Sequence, residues 1–73
     1  MTNPIQRRIK RLERDVHNHE ESLEEFLESK KILPNTDEFT DIRASHSMQI
    51  GVIKKNLKNF RKELQALQGA INV

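Results

Sequence analysis

The sequence feature that most constrains the fold is a heptad ladder in the first half of the chain. Its members are separated alternately by four and three residues: Ile5, Ile9, Leu12, Val16, His19, Leu23, Phe26, Lys30 and Leu33. This spacing keeps one narrow side of an α-helix turned toward a second helix, as in coiled coils. The ladder therefore predicts a helix that packs against another helix along its length.

Prolines predict where the first helix begins and ends. Thr2 or Asn3 can cap its N-terminus, and Pro4 suits the first turn because its missing N–H would have no acceptor there. Pro34 pushes the residue before it out of helical geometry. The first helix is therefore expected over about residues 4–31.

A short turn and a second helix are expected to follow. Asn35 or Thr36 can cap the second helix, and acidic residues in its first turn suit the helix dipole. Gly69 is expected to end it, so the turn covers about residues 32–36 and the second helix about residues 37–69. A connection this short folds two helices into an antiparallel hairpin.

The second helix carries a ladder of its own, with members Phe39, Ile42, His46, Gln49, Ile53, Leu57, Phe60, Leu64, Leu67 and Ile71. Two successive steps of four, from Gln49 to Ile53 and on to Leu57, depart from the heptad and predict a locally unwound supercoil. Folding the two ladders together about the turn predicts these neighbours: Phe26 with Ile42, Leu23 with His46, His19 with Gln49, Val16 with Ile53, and Ile9 with Phe60.

This register brings three polar ladder residues, His19, His46 and Gln49, into one layer. A polar layer in a helical core fixes register and oligomeric state, because a slipped alignment would bury the polar groups without partners. The simpler interpretation is that these three residues are accessible to solvent. A metal site is the alternative, since a dimer would bring two copies of each imidazole together. No carboxylate lies on the same ladder, so we expect neither a metal nor another cofactor.

The chain of 73 residues has room for one domain, residues 1–73, whose core is too small to be comfortably stable alone. It has no cysteine, so disulfides cannot stabilise it. Hydrophobic residues make up 34% of the chain and charged residues 33%, as in an exposed helical rod. We therefore expect an all-α helical hairpin that assembles as a homodimeric four-helix bundle.

The middle of the second helix is apolar on more than one side, because Met48, Ile50 and Val52 lie outside its ladder. Gly51 would let another backbone approach there, or alternatively marks a kink or a break in the helix. The interface predicted within the hairpin and between its copies comprises Ile9, Leu12, Val16, Leu23, Phe26, Met48, Ile50, Val52, Ile53, Leu57, Phe60 and Leu64.

Charge is segregated along the chain: residues 1–19 carry a net +3, residues 20–41 a net −6 and residues 42–73 a net +5. The hairpin would collect both basic segments at its open end and the acids at its turn. Two hairpins laid antiparallel would set each basic end against an acidic end, whereas a parallel pair would stack like charges. The charge pattern therefore favours an antiparallel homodimer.

The basic open end is also a candidate patch for a protein partner or a nucleic acid. Its bases could neutralise several phosphates without reading sequence. They are Arg7, Arg8, Lys10, Arg11, Arg14, Lys54, Lys55, Lys58, Arg61 and Lys62. All three aromatic residues, however, lie on the ladders, so no exposed ring remains for stacking on bases. Protein binding is therefore the favoured function, and a regulator that binds nucleic acid is the alternative.

Catalysis is not expected, because no serine stands beside a histidine and an acid in a nucleophile motif and there is no glycine-rich phosphate loop. No apolar run is long enough to cross a bilayer and no signal-peptide pattern is present, which favours a soluble, cytoplasmic protein. The expected function is that of an adaptor, assembly factor or inhibitor of a larger complex, in a protein of the size often encoded by phages and mobile elements.

Overall fold

The computed structural model describes residues 3–71, which form a helical hairpin. Helix α1 covers Pro4–Ile32 and helix α2 covers Thr40–Ile71, with a short 3₁₀ helix at Asp37–Phe39 between them. The two long helices pack against each other and give a rod with principal extents of 55 × 18 × 13 Å. The predicted all-α hairpin is confirmed.

The start of α1 is set by Asn3. Its side-chain Oδ1 accepts a hydrogen bond from the Ile5 N–H at 2.9 Å, and its carbonyl accepts one from the Arg7 N–H at 3.1 Å. Pro4 occupies the first helical position, where no N–H is needed. The predicted start is confirmed, with Asn3 as the cap, and the other candidate cap, Thr2, lies outside the described residues.

The turn contains a 3₁₀ step that the sequence pattern did not predict. Leu33 is extended (φ −63°, ψ 129°), as the residue before a proline should be. Thr36 precedes the 3₁₀ helix without a side-chain capping bond, and its carbonyl accepts from the Phe39 N–H at 3.1 Å. The α-helical part of the second helix therefore begins at Thr40, three residues later than expected. Arg43 closes the turn, because its Nη1 donates to the Leu33 carbonyl at 3.1 Å.

Neither glycine of α2 interrupts the helix. The helix runs through Gly69 to Ile71, so the predicted end at Gly69 is wrong. Gly51 also lies within the continuous helix, which excludes the predicted alternative of a break there. A Cβ built on Gly51 would meet nothing within 4 Å, so no backbone of the hairpin approaches it closely.

The core of the hairpin is narrow. Among residues 3–71 four apolar side chains are buried: Leu12 on α1, and Ile50, Ile53 and Leu57 on α2. The remaining α1 ladder positions from Ile9 to Leu33 are half-buried, whereas Ile5 at the open end is exposed. The α1 ladder therefore faces α2 as predicted.

The α2 ladder differs from the prediction at one step. Ile50 is buried and Gln49 is exposed, so the ladder continues from His46 to Ile50 and then to Ile53. With this change the steps alternate between four and three along the rest of α2, and the predicted irregularity is wrong. Near the turn, half-buried Arg43 replaces the predicted Ile42, which is exposed.

Candidate interaction surfaces

The three polar ladder residues do not form one layer. The His19 ring meets the edge of Phe60 at a centroid distance of 5.0 Å, and the His46 ring meets Phe26 at 5.3 Å. The contacts on α1 are seven residues apart, which is about 10 Å along a helix. Gln49 is exposed and belongs to neither contact. The predicted pairing of His19 with Gln49 is therefore wrong, and the rings of His19 and His46 each pack against a phenylalanine.

The register error has two physical causes. The 3₁₀ helix Asp37–Phe39 delays α2, which shifts every pair toward a later residue of α2. In addition, helical side chains lean toward the N-terminus of their own helix, so in an antiparallel pair the contacting side chains come from residues whose Cα atoms are not level. Both effects act in the observed direction: His19 meets Phe60, later than Gln49, and Phe26 meets His46, later than Ile42.

Each of these histidines is also bonded to its own helix. The Nδ1 of His19 lies 2.8 Å from the Asp15 carbonyl, and the Nδ1 of His46 lies 2.8 Å from the Ile42 carbonyl. A carbonyl only accepts, so Nδ1 carries the proton in both rings. Within residues 3–71 no group of three His, Cys, Asp or Glu residues is placed to hold a metal ion.

Most of the predicted apolar interface is used inside the hairpin. Leu12, Ile50, Ile53 and Leu57 are buried in its core, and the ladder residues Ile9, Val16, Leu23, Phe26, Phe60 and Leu64 are half-buried. The prediction that Ile50 lies outside the α2 ladder is wrong, because Ile50 is buried against α1 as a ladder residue.

An apolar patch remains on the outer side of α2. Met48 is 69% exposed and Val52 is 49% exposed. Each lies two residues from buried Ile50, a rotation of about 200°, so both point away from α1. Gly51 beside them is exposed with open space around it, which leaves the backbone accessible to another chain. Sequence analysis missed further exposed apolar side chains near the turn, Leu27 and Ile32, because they fall outside both ladders.

Two ion pairs cross between the helices. The guanidinium of Arg8 on α1 holds Glu63 of α2 through Nε and Nη2, with N–O distances of 3.0 to 3.1 Å. Farther along, Glu20 of α1 lies 3.5 Å from Arg61 of α2. Both pairs are solvent-exposed, so each contributes at most about 1 kcal/mol. Two of the ten predicted patch bases are thus engaged within the hairpin.

The predicted basic patch is divided between the two helices. One open groove on α1 is lined by Pro4, Arg7, Arg8, Lys10, Arg11 and Arg14. Another on α2 is lined by Lys54, Lys58, Arg61, Lys62 and Gln65, with Lys55 exposed nearby in sequence. A third groove, farther along α1, is acidic and is lined by Glu21, Glu24, Glu25, Glu28 and Ser29. The surface therefore offers separate basic and acidic grooves and one apolar patch.

Neither α1 nor α2 contains an apolar stretch that would suffice to span a bilayer. Comparisons with protein-family models, with curated proteins and with solved structures found no match for this chain.

Proposed function

We propose that this hairpin is a non-enzymatic protein-binding module that assembles as a homodimeric four-helix bundle and acts as an adaptor, assembly factor or inhibitor of a larger complex. The observation that supports it is the narrow core. Four buried side chains among residues 3–71 are few for a folded chain of this size, which normally needs further apolar burial.

The half-buried ladder residues support the proposed bundle, because a second hairpin could cover their accessible surface. Val16 and Leu23 on α1, and Phe60 and Leu64 on α2, line the edges of the single interhelix seam and keep part of their surface accessible. In a four-helix bundle each helix has two neighbours, so such edges become core. Covering them would stabilise the fold by about 25 cal/mol for each Å² of apolar surface removed from water.

The exposed patch of Met48 and Val52 supports binding of another protein. It lies on the outer side of α2 and would stay accessible in a bundle that covers the seam edges. Two apolar side chains at i and i+4 beside an open glycine suit an amphipathic helix of a partner. The patch would supply the affinity, and the flanking lysines of α2 would favour a partner with acidic residues.

Assembly is tested by sedimentation equilibrium across the micromolar range, together with the melting temperature at each concentration. A dimer should be found, and its melting temperature should rise with protein concentration because association stabilises only the folded state. A monomer throughout, with a constant melting temperature, would contradict the proposed bundle.

Nucleic-acid binding is the second candidate, and the observation that favours it is the pair of exposed basic grooves. It is tested by titrating duplex DNA and single-stranded RNA at about 50 and 200 mM salt, between which phosphate-driven binding weakens by orders of magnitude. Strong binding with this salt dependence would favour the nucleic-acid regulator over the protein-binding module.

A further inference from the structure

A charged stripe runs along the side of α1 that faces away from α2. Six of its members, at positions 7, 11, 14, 21, 25 and 28, each follow a ladder residue by two positions, a rotation of about 200°. Lys10 and Glu24 border it. The outer stripe thus comprises Arg7, Lys10, Arg11, Arg14, Glu21, Glu24, Glu25 and Glu28, all exposed. Its bases line one groove and its acids another.

The outer stripe is complementary to itself when the helix is reversed. A two-fold axis midway between His17 and Asn18 exchanges every base with an acid: Arg7 with Glu28, Lys10 with Glu25, Arg11 with Glu24, and Arg14 with Glu21. This axis lies within about half a residue of the middle of α1, which covers Pro4–Ile32. Two antiparallel copies of α1 related by this axis therefore overlap along their whole length.

In a single hairpin the outer stripe is electrostatically unfavourable. Its like charges stand three and four residues apart, where they repel one another. The bases also lie near the N-terminal end of α1 and the acids near its C-terminal end, against the helix dipole. Among residues 3–71 its bases have no ion-pair partner, and Glu21 alone of its acids has one, His17 at 3.0 Å. The stripe of an antiparallel second copy would place acids beside these bases and bases beside these acids.

We propose that the outer stripe is an interaction surface for a second copy of this chain, which docks antiparallel about the axis between His17 and Asn18. The stripe lies opposite the seam, so it stays on the outside of a four-helix bundle. It therefore joins bundles to one another and does not form them. The four glutamates on the stripe argue against nucleic acid as its occupant, because they would repel phosphates.

The test uses two complementary variants that leave Arg8 unchanged, because Arg8 already binds Glu63 within the hairpin. The acidic variant carries Arg7→Glu, Arg11→Glu and Arg14→Glu, and the basic variant carries Glu21→Lys, Glu24→Lys and Glu28→Lys. The new glutamates lie near the N-terminal end of α1 and the new lysines near its C-terminal end, and the helix dipole favours both placements. Both variants should therefore retain the helical circular dichroism of the parent.

A matched control carries Lys54→Glu, Lys58→Glu and Lys62→Glu. It changes the net charge as much as the acidic variant does, but on α2. The mass of each protein is measured by sedimentation at low salt and at about 1 M salt, where the Debye length falls to about 3 Å. The mass at high salt reports on the proposed bundle, and the gain in mass at low salt reports on the outer stripe.

The parent and the matched control should gain mass at low salt, and neither stripe variant alone should. Each reversed residue occurs twice in a symmetric contact, so three reversals turn six attractive pairs repulsive and should lower the association constant by about tenfold or more. An equimolar mixture of the acidic and basic variants should regain the larger species, because all eight pairs are then of opposite sign.

A parent whose mass is the same at both salt concentrations would overturn the stripe contact, whatever the state of the bundle. A mixture that fails to regain the larger species would overturn the antiparallel pairing. Loss of nucleic-acid binding by the acidic variant, with no salt-dependent change in the mass of the parent, would assign the stripe bases to nucleic acid instead.

Discussion

The two helices of the hairpin contribute to it in different ways. Of the four side chains that are buried among residues 3–71, α2 supplies three, within about two turns, and α2 also carries the exposed apolar patch of Met48 and Val52. α1 supplies one buried side chain, Leu12, and presents an outer side that is wholly charged or polar between Arg7 and Glu28. The buried side chains are thus concentrated in α2, whereas the proposed contact with a second copy lies on the outer side of α1. Because the outer stripe is exposed, it can be altered without removing any buried side chain.

Among the substitutions that test this difference between the helices, Leu12→Ala in α1 should have the largest effect on stability. Leu12 has no exposed surface and is the buried residue that α1 contributes among residues 3–71. Its truncation should lower the free energy of unfolding by about 3 kcal/mol, measured by urea denaturation at fixed protein concentration. The control is Ile5→Ala at the exposed end of the same ladder, which should lower it by less than half as much. Equal effects would mean that α1 has no single anchoring residue.

Ile50→Gln tests the α2 ladder. It places a polar amide at a buried position without a partner and should lower the free energy of unfolding by about 2 kcal/mol. Gln49→Ile, at the exposed neighbouring position, should change it by no more than about 0.5 kcal/mol. The two variants exchange the same two residue types in opposite directions. If Gln49→Ile changed the free energy of unfolding more than Ile50→Gln did, Gln49 and not Ile50 would belong to the ladder.

Gly51→Ala should stabilise the hairpin. The helix is continuous there and a Cβ has open space, so alanine removes the entropic penalty of glycine, worth about 1 kcal/mol. The rise should appear in thermal and urea unfolding of the isolated protein. Gly69→Ala, two residues before the end of α2, should give a smaller gain because helix ends fray. A loss of stability in Gly51→Ala would show that this position contacts another chain.

The smallest expected effect concerns the crossing ion pair. A double-mutant cycle with Arg8→Gln and Glu63→Gln should give a coupling energy of about 0.5 kcal/mol, since both partners are exposed. The coupling should shrink in high salt. The matched cycle with Arg7→Gln and Glu63→Gln should give none, because Arg7 lies on the outer stripe. Coupling in the second cycle would place the α1 bases nearer α2 than the structure does.

The α1 ladder could be predicted from the sequence because its spacing is unbroken, and the start of α1 because Pro4 follows two residues that can cap a helix, Thr2 and Asn3. The predicted α2 ladder steps from Phe39 to Ile42, which leads through His46 to Gln49. A step from Phe39 to Arg43 leads instead to His46 and Ile50 at regular spacing. Arg43 can belong to the ladder although it is charged, because its long stem is half-buried while its guanidinium reaches the Leu33 carbonyl.

The interhelix pairs could not be predicted because they depend on the turn. A 3₁₀ step of three residues leaves no mark in the hydrophobic pattern, but it shifts which side chains meet. The ion pair of Arg8 with Glu63 lies close to the register that this shift gives, whereas the ring contact of His19 with Phe60 also depends on the lean of helical side chains. The segregation of charge, by contrast, is a property of the sequence alone, and the structure adds that its bases and acids share the outer side of α1.

The hydrogen bond from Arg43 to Leu33 also bears on domain swapping. A helical hairpin can exchange partners when its turn straightens, because α1 of one chain can then make the same seam with α2 of another. The bond between the Arg43 guanidinium and the Leu33 carbonyl spans ten residues of one chain, so straightening the turn would break it. It therefore favours the intrachain hairpin over the exchanged form, and it leaves the seam edges of each chain free to meet a complete second hairpin.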